Sequence, residues 1–269
     1  MTSEQEKPTE PQGWIFFARI LPERVPLTFQ VPPVEVCSPH FGVKLKFHET
    51  NSDRGQVSCR TTLLEGQPDI FFVRNLLEQH LRAIIDFFGY QQGLSFDLDI
   101  VSATSLTGET FNFGIGIPGL MNAHKAKPGT HELPVELVKA AILDSGANIA
   151  LAQFRKAMRE ATGTGFYCYQ AIEALMQSVR LGSDTDTQGW QRFRETLNID
   201  RSAIDFVKSH ADDRRHGRTA NISDAERLKV FLICDEVIRR YLEFVVRGRG
   251  ILNAGEFELL NSSQLGNSC

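Results

Sequence analysis

Asn122-Ala123-His124-Lys125-Ala126-Lys127-Pro128-Gly129-Thr130-His131 separates two halves of the chain whose apolar residues recur at different intervals. The stretch has no periodicity of its own, and Pro128 and Gly129 would interrupt any element crossing it, so residues 122–132 read as a linker. Before it the apolar period is two. Trp14–Leu21, Val25–Val31, Phe41–Phe47 and Gln56–Leu64 alternate, with Phe41, Val43, Leu45 and Phe47 on one face, and strands resume at Leu94–Val101 and Thr110–Ile117. Prolines 22, 26, 32, 33 and 39 punctuate these strands and favour edges, bends and bulges. One helix interrupts the pattern: Asp69 can cap a segment in which Phe72, Leu76, Leu77, Leu81, Ile84, Ile85 and Phe88 recur at helical spacing, ending at Gly89.

After the linker the period is 3.6. A first helix spans about Pro134 to Ala161, with a break near Gly146, and a second follows Thr164 with Cys168, Ile172, Leu175 and Val179 inward. Gly182–Gly189 reads as a loop and Trp190–Leu197 as a short helix. The next helix, capped by Asp200 or Ser202, runs to Gly217, and the last opens on the capping box Ser223-Asp224-Ala225-Glu226. The expected fold is therefore α+β. A mobile tail (1–13) precedes an antiparallel β-rich domain with one packed helix (14–121); the linker and an antiparallel all-α bundle of four to five helices (133–249) follow, then a second mobile tail (250–269).

Composition bounds the function. With 269 residues, 42% hydrophobic and 23% charged, the chain is neither disordered throughout nor collagen-like. Its longest apolar runs, such as Ile70–Val73, fall far short of the roughly 18 residues of a membrane span. Met1–Gly13 lacks the basic start and apolar core of a secretory signal, so a soluble cytoplasmic protein with no membrane partner is expected. The net charge of −4 means that any anion site must be a local cluster. Cys37, Cys59, Cys168, Cys234 and Cys269 show no C-x-x-C spacing, which predicts reduced thiols, with Cys168 and Cys234 as buried small hydrophobes. His124 and His131 lack a second ligand pair, and no metal and no cofactor is expected. Gly114-x-Gly116-x-x-Gly119 superficially matches a phosphate loop, but Pro118 interrupts it and a turn with a strand bulge is the simpler reading.

The strongest local feature is Ser209-His210-Ala211-Asp212-Asp213-Arg214-Arg215-His216-Gly217-Arg218. Three guanidiniums and two imidazoles within this stretch suit phosphate oxygens, and His216 can exchange a proton near neutral pH. Cations closing a helix, balanced by Asp212 and Asp213, are the purely structural alternative. Arg239, Arg240, Arg247 and Arg249 either extend the basic surface or form a solvated stripe.

These residues resemble a known family. Gln153–Ala157 followed by Gly165–Leu175, an aromatic-rich helix carrying Glu173, is similar to the first helix pair of HEPN domains. Asp212-Asp213-Arg214-Arg215-His216-Gly217 before a capped terminal helix resembles the end of their third long helix. The resemblance covers residues 133–249. It implies a homodimer that brings two R-x4–6-H motifs into one groove for metal-independent RNA cleavage, the His assisting attack of the ribose 2′-OH and the Arg holding phosphate charge. His216 matches the motif histidine. The positions for the arginine hold Ser209, His210 and Ala211, while Arg214 and Arg215 point about 100° or 200° away from His216 on a helix.

The expectation is thus an RNA- or nucleotide-binding protein, with nuclease activity in defence or stress as its catalytic form. His216 is the candidate catalytic residue, Arg214, Arg215 and Arg218 bind phosphate, and Glu173, His210 and Asp212 support them. Glu173 either contacts the motif histidine or pairs with Arg180 or another surface cation. The alternative is a non-catalytic accessory protein that dimerises through its helical half, because the whole chain also resembles an uncharacterised methylamine-utilisation accessory family. In either case the β-rich domain is free to take a protein partner.

Overall fold

The computed structural model describes residues 12–114, 116–125, 134–212 and 222–263, and the chain divides into two compact units, Met1–Gly114 and Ile115–Cys269. The fold is α+β, with an antiparallel sheet in the first unit and helices in the second.

In the N-terminal unit β1 (Gly13–Leu21) lies inside the sheet, flanked by β5 (Gln56–Glu65) and β6 (Asp97–Ser105). The remaining strands are β2 (Phe29–Val31), β3 (Val34–Ser38), β4 (Val43–Asp53) and β7 (Thr110–Asn112). The order is β2-β4-β5-β1-β6-β7, with β3 also paired to β4 and every pairing antiparallel. Period-two alternation sends Trp14, Phe16, Ala18 and Ile20 to one face, with Leu45, Phe47, Val57, Cys59, Leu98 and Ile100 of neighbouring strands. That face carries α1 (Ile70–Gln92), whose Val73, Leu77, Leu81 and Ile85 recur every fourth residue and are essentially inaccessible. Asp69 caps α1 by accepting from the Phe72 amide at 2.7 Å. Glu78, buried on α1, lies between Arg74 and Arg82 at 2.7 and 3.0 Å, and Arg82 reaches Asp97 at 3.2 Å, tying the helix to β6.

Several boundaries differ from the sequence reading. The helix passes Gly89 and ends at Gly93, which has φ 66°; Gly89 is needed because a Cβ there would lie 2.5 Å from the Leu94 carbonyl oxygen. The strand expected from Phe41 starts at Val43, after a turn of 3-10 helix over Pro39–Phe41 closed by Gly42 at φ 60°. The strand expected over Val25–Val31 shortens to Phe29–Val31, and β3, bracketed by Pro32, Pro33 and Pro39, was not expected.

The C-terminal unit begins earlier than expected. Pro118–Lys125 is a helix, α2, where the β-rich domain was expected to end and the linker to begin. Leu120 anchors it in the helical core, and a Cβ at Gly119 would meet the Leu228 side chain at 2.5 Å. The glycines of Gly114-x-Gly116-x-x-Gly119 therefore lead into a helix rather than a strand bulge, and Gly119 serves close packing. Residues 126–132 of the proposed linker, including His131, lie outside the described residues.

The expected break near Gly146 falls at Asp144, between α3 (Val135–Leu143) and α4 (Ser145–Arg159), where the Asp144 carboxylate accepts from the Ala147 amide at 2.8 Å and starts a new helix. α5 (Thr164–Val179) packs along α4. α6 (Asp186–Leu197) begins four residues before Trp190, inside the expected loop, because Thr185 and Gln188 form a capping box. α7 (Arg201–Ser209), capped by Asp200, ends well before Gly217. α8 (Asp224–Val246) opens on the expected Ser223–Glu226 box and runs through the core with Phe231, Cys234, Val237 and Tyr241. The described part of the expected C-terminal tail is packed rather than mobile: Leu252, Phe257 and Leu260 are buried, and Ile199 and Leu260 form a parallel bridge.

Candidate functional site

The basic segment expected to carry function leaves α7 and re-enters at α8, so the site is built from the helix termini at that end of the bundle. α5 starts where α7 stops, and the two backbones touch: a Cβ at Gly165 would lie 2.2 Å from the His210 carbonyl oxygen. Only glycine permits this approach. His210, 15% exposed at its side chain, packs on Phe206 with 4.7 Å between ring centres and the rings tilted by 50°. Its Nδ1 lies 2.9 Å from the Phe206 carbonyl oxygen. A carbonyl only accepts, so Nδ1 carries a proton, and Nε2 faces Glu226 Oε1 at 3.7 Å. Glu226 is held below the usual carboxylate range first by the Ser223 hydroxyl and amide that it caps, and then by His210.

Beside it, Thr164 is fully buried. Its Oγ1 accepts from Arg227 Nε at 2.9 Å and lies 2.9 Å from the Ala161 carbonyl oxygen, to which it donates. The Arg227 guanidinium lies 5.3 Å from the Phe231 ring centre. Tyr167 donates to the Glu160 carboxylate at 3.2 Å, Lys156 lies over the Tyr167 ring at 5.8 Å, and Lys229 over Phe206 at 4.5 Å. The N-termini of α5 and α8 add the partial positive charge of their first amides. This end of the bundle thus gathers three cations, a histidine and two helix N-termini, together with the carboxylates of Glu160 and Glu226, the latter capping α8.

His216, Arg214, Arg215 and Arg218 lie outside the described residues, in the segment 213–221. That segment departs after Ala211, which is fully buried, and returns at Ile222, which packs on the helical core. His210 and Asp212 stand at its start. Glu173 does not join them: it is eight residues along α5 from Gly165, about 12 Å at 1.5 Å per residue. Arg180 is no partner for it, because that guanidinium binds Asp186 at 2.5 Å and the Asp184 carbonyl at 2.6 Å.

Of the later arginines only Arg240 is buried; Arg239, Arg247 and Arg249 are partly exposed and paired with carboxylates. Arg240, 4% exposed, donates to Glu236, to the carbonyls of Leu197 and Asn198, and to that of Glu258. Burial alone would raise the Glu236 pKa, yet the hydrogen bonds from Arg239 and Arg240 outweigh it and hold it lowered. Arg239, Arg240 and Arg247 surround the Phe257 ring at 5.3, 5.8 and 5.2 Å. Arg249 binds Asp144, which also accepts from the Tyr241 hydroxyl at 3.0 Å. Sequence reasoning missed this role because the acceptors are backbone carbonyls, which leave no mark in side-chain identity.

Residues 135–246 match the C-terminal domain of DUF8168, a domain of unknown function. The DUF8168 match runs from α3 through α8 and so contains the His210 end of the bundle; the sheet, α2 and the packed segment after α8 fall outside it. No curated protein and no solved structure matches the chain.

Among the described residues no three His, Cys, Asp or Glu are grouped to hold a metal ion. His124 pairs instead with Asp235 at 2.9 Å. Cys37, Cys59, Cys168 and Cys234 are free thiols. Burial pushes Cys59 up to about 11 and Cys234 well above the ordinary thiol value, which makes them poor nucleophiles. No helix among the described residues is long and apolar enough to cross a membrane.

Proposed function

We propose that the helical unit is a HEPN-like module that binds RNA or a nucleotide through its phosphates, with Arg214, Arg215 and Arg218 as the phosphate ligands and His216 as the group that exchanges a proton. The observation that carries this reading is the attachment of the basic segment. Both of its ends, Ala211 and Ile222, are packed into the core at the end of the bundle where α5 and α8 begin and where Lys156, Arg227 and Lys229 gather. Cationic side chains tethered beside two helix N-termini favour an anionic ligand. The free thiols support a reducing, cytoplasmic setting.

Binding, rather than cleavage, is the form we favour. Of the positions where the family motif places its arginine, Ala211 is fully inaccessible, and a guanidinium there would displace core packing. The test is metal-free incubation of a mixed RNA pool with wild type and His216→Ala, together with binding titrations at several salt concentrations. Binding that weakens steeply with salt, with RNA left intact, is the expected result. Cleavage lost in His216→Ala would establish the nuclease form. Salt-independent or absent binding would overturn phosphate recognition.

A second reading, a dimerising accessory protein, rests on α3, where Ile142 and Leu143 are 69% and 84% exposed. A monomer at micromolar concentration by analytical ultracentrifugation would remove it.

A further inference from the structure

We propose that the sheet face opposite α1 binds single-stranded nucleic acid, with one base stacked on Phe17 and the flanking phosphates held by Arg60, Lys46 and Arg19. The inference rests on the N-terminal unit alone and stands or falls independently of the reading of the helical unit.

Period-two alternation on β1 buries Trp14, Phe16, Ala18 and Ile20 under α1 and turns Ile15, Phe17 and Arg19 to the other face. Phe17, on an inner strand, is 44% exposed, so a face of its ring is open to solvent. Its surroundings keep the ring open. The residues directly opposite are Ser58 on β5 and Ser102 on β6, followed outward by Asn51 on β4 and Asn112 on β7. The row through Phe17 therefore consists of one aromatic ring among small hydroxyl and amide side chains. These leave the ring uncovered and offer both donors and acceptors to the edge of a stacked base.

Cations border this row. Arg60 lies opposite Ile15 and so is a diagonal neighbour of Phe17, within roughly 7–8 Å. Lys46 faces Thr62, the residue two along from Arg60, and His48 Nε2 lies 2.8 Å from the Thr62 hydroxyl. Arg19 follows Phe17 on the other side. None of Arg19, Lys46 and Arg60 has an ion-pair partner among the described residues. His48 is lowered first by burial and then by Arg60 and Lys46, which places the three groups close together and keeps the imidazole neutral at pH 7. The carboxylates of this face lie, like the cations, outside the Phe17 row: Asp99 is opposite Arg19, Glu35 is opposite Lys46 and pairs with Lys44 at 2.9 Å, and Glu49 and Asp53 are on β4.

A stacking ring in an uncharged hydrogen-bonding row, bordered by cations that form no ion pair among the described residues, matches an unpaired strand: bases present π-faces and edges, and phosphates present charge. A duplex keeps its base faces stacked on one another, closed to the Phe17 ring. A protein interface would be expected to cluster several large apolar side chains at its centre, whereas the Phe17 row has one.

The test uses the whole chain. Phe17→Trp places a fluorescent reporter on the face, and a short mixed-sequence RNA is titrated alone and annealed to its complement. The single strand is expected to quench the new emission and the duplex to leave it unchanged. Phe17→Ala should weaken single-strand binding by about tenfold, within the range of one lost stacking contact, with an unchanged thermal transition because the side chain lies outside the core. Lys46→Gln with Arg60→Gln should lower the salt dependence of binding. The quench should persist when Arg214, Arg215 and Arg218 are all replaced by Ala, which separates this site from the proposed phosphate site of the helical unit. Equal binding by wild type and Phe17→Ala, equal quenching by duplex, or quenching by polyglutamate in place of RNA would each overturn the proposal, the last in favour of an acidic protein partner.

Discussion

Gly165 and His210 are in backbone contact across two helices: a Cβ on the first would stand 2.2 Å from the carbonyl oxygen of the second. The contact joins the start of α5 to the end of α7, and it sets where the basic segment leaves the bundle. Gly165→Ala should therefore lower stability by about 1–3 kcal/mol, since neither backbone can rotate away as a side chain would. Guanidinium chloride unfolding of the two proteins measures it; a midpoint unchanged by the substitution would show that the helices separate freely.

Arg240 holds the chain beyond α8 in place. Its three backbone acceptors belong to the α6–α7 junction and to the segment near Glu258. Arg240→Met should cost about 3–5 kcal/mol, because Glu236 is left charged and buried beside one fewer cation. Arg240→Lys should recover little of it, lacking the planar fork that spans carboxylate and carbonyls. Unfolding curves of the three proteins check the ordering.

Removal of residues 251–269 tests the packed segment itself. Leu252, Phe257 and Leu260 leave the core, at roughly 1.5–3 kcal/mol for each fully buried side chain. The truncated chain should be markedly less stable and more sensitive to limited proteolysis. A truncation without effect would mean that the segment adds nothing to the bundle.

Two groups make stability depend on pH in separate windows. His80 is lowered by burial, and its buried Nε2 has no hydrogen-bond partner. As pH falls through about 6.5 the unfolded chain takes up a proton that the folded chain resists, so stability drops until the folded value is reached. His80→Phe should remove that loss. Glu236 is also lowered, but as an acid: its contribution is complete above the ordinary carboxylate value and disappears as pH falls through the lower folded one. Urea unfolding between pH 7.5 and 3 on wild type, His80→Phe and Glu236→Gln should show the first variant differing from wild type below about pH 6.5, and the second less stable than wild type above about pH 4.5 and converging on it as pH falls further.

Residue types, above all the change of apolar period from two to 3.6, were enough for the α+β class, for the common face of Val43, Leu45 and Phe47, for the caps at Asp69 and Ser223, and for narrowing the next cap to Asp200 or Ser202. Each of these depends on contacts a few residues apart, or on which side of one element meets oil or water. Where elements end was harder to read. Gly89 looks like a helix stop and is instead a close contact with Leu94 just beyond the helix, while the residues after Gly248 look like a tail and instead place Leu252, Phe257 and Leu260 in the core, against partners distant in sequence.

The same division applies to function. The residues of the RRHGR cluster, and the absence of an arginine at Ser209, His210 and Ala211, are properties of the chain alone. That Ala211 is sealed in the core, that Glu173 lies about 12 Å along α5 from the Gly165 contact, that Arg240 spends most of its hydrogen bonds on backbone carbonyls, and that Phe17 faces outward between two serines were decided only by tertiary structure. The physical reason is that burial and hydrogen bonding to the main chain depend on which strand or helix lies opposite, and an acceptor carbonyl is the same atom whatever residue carries it.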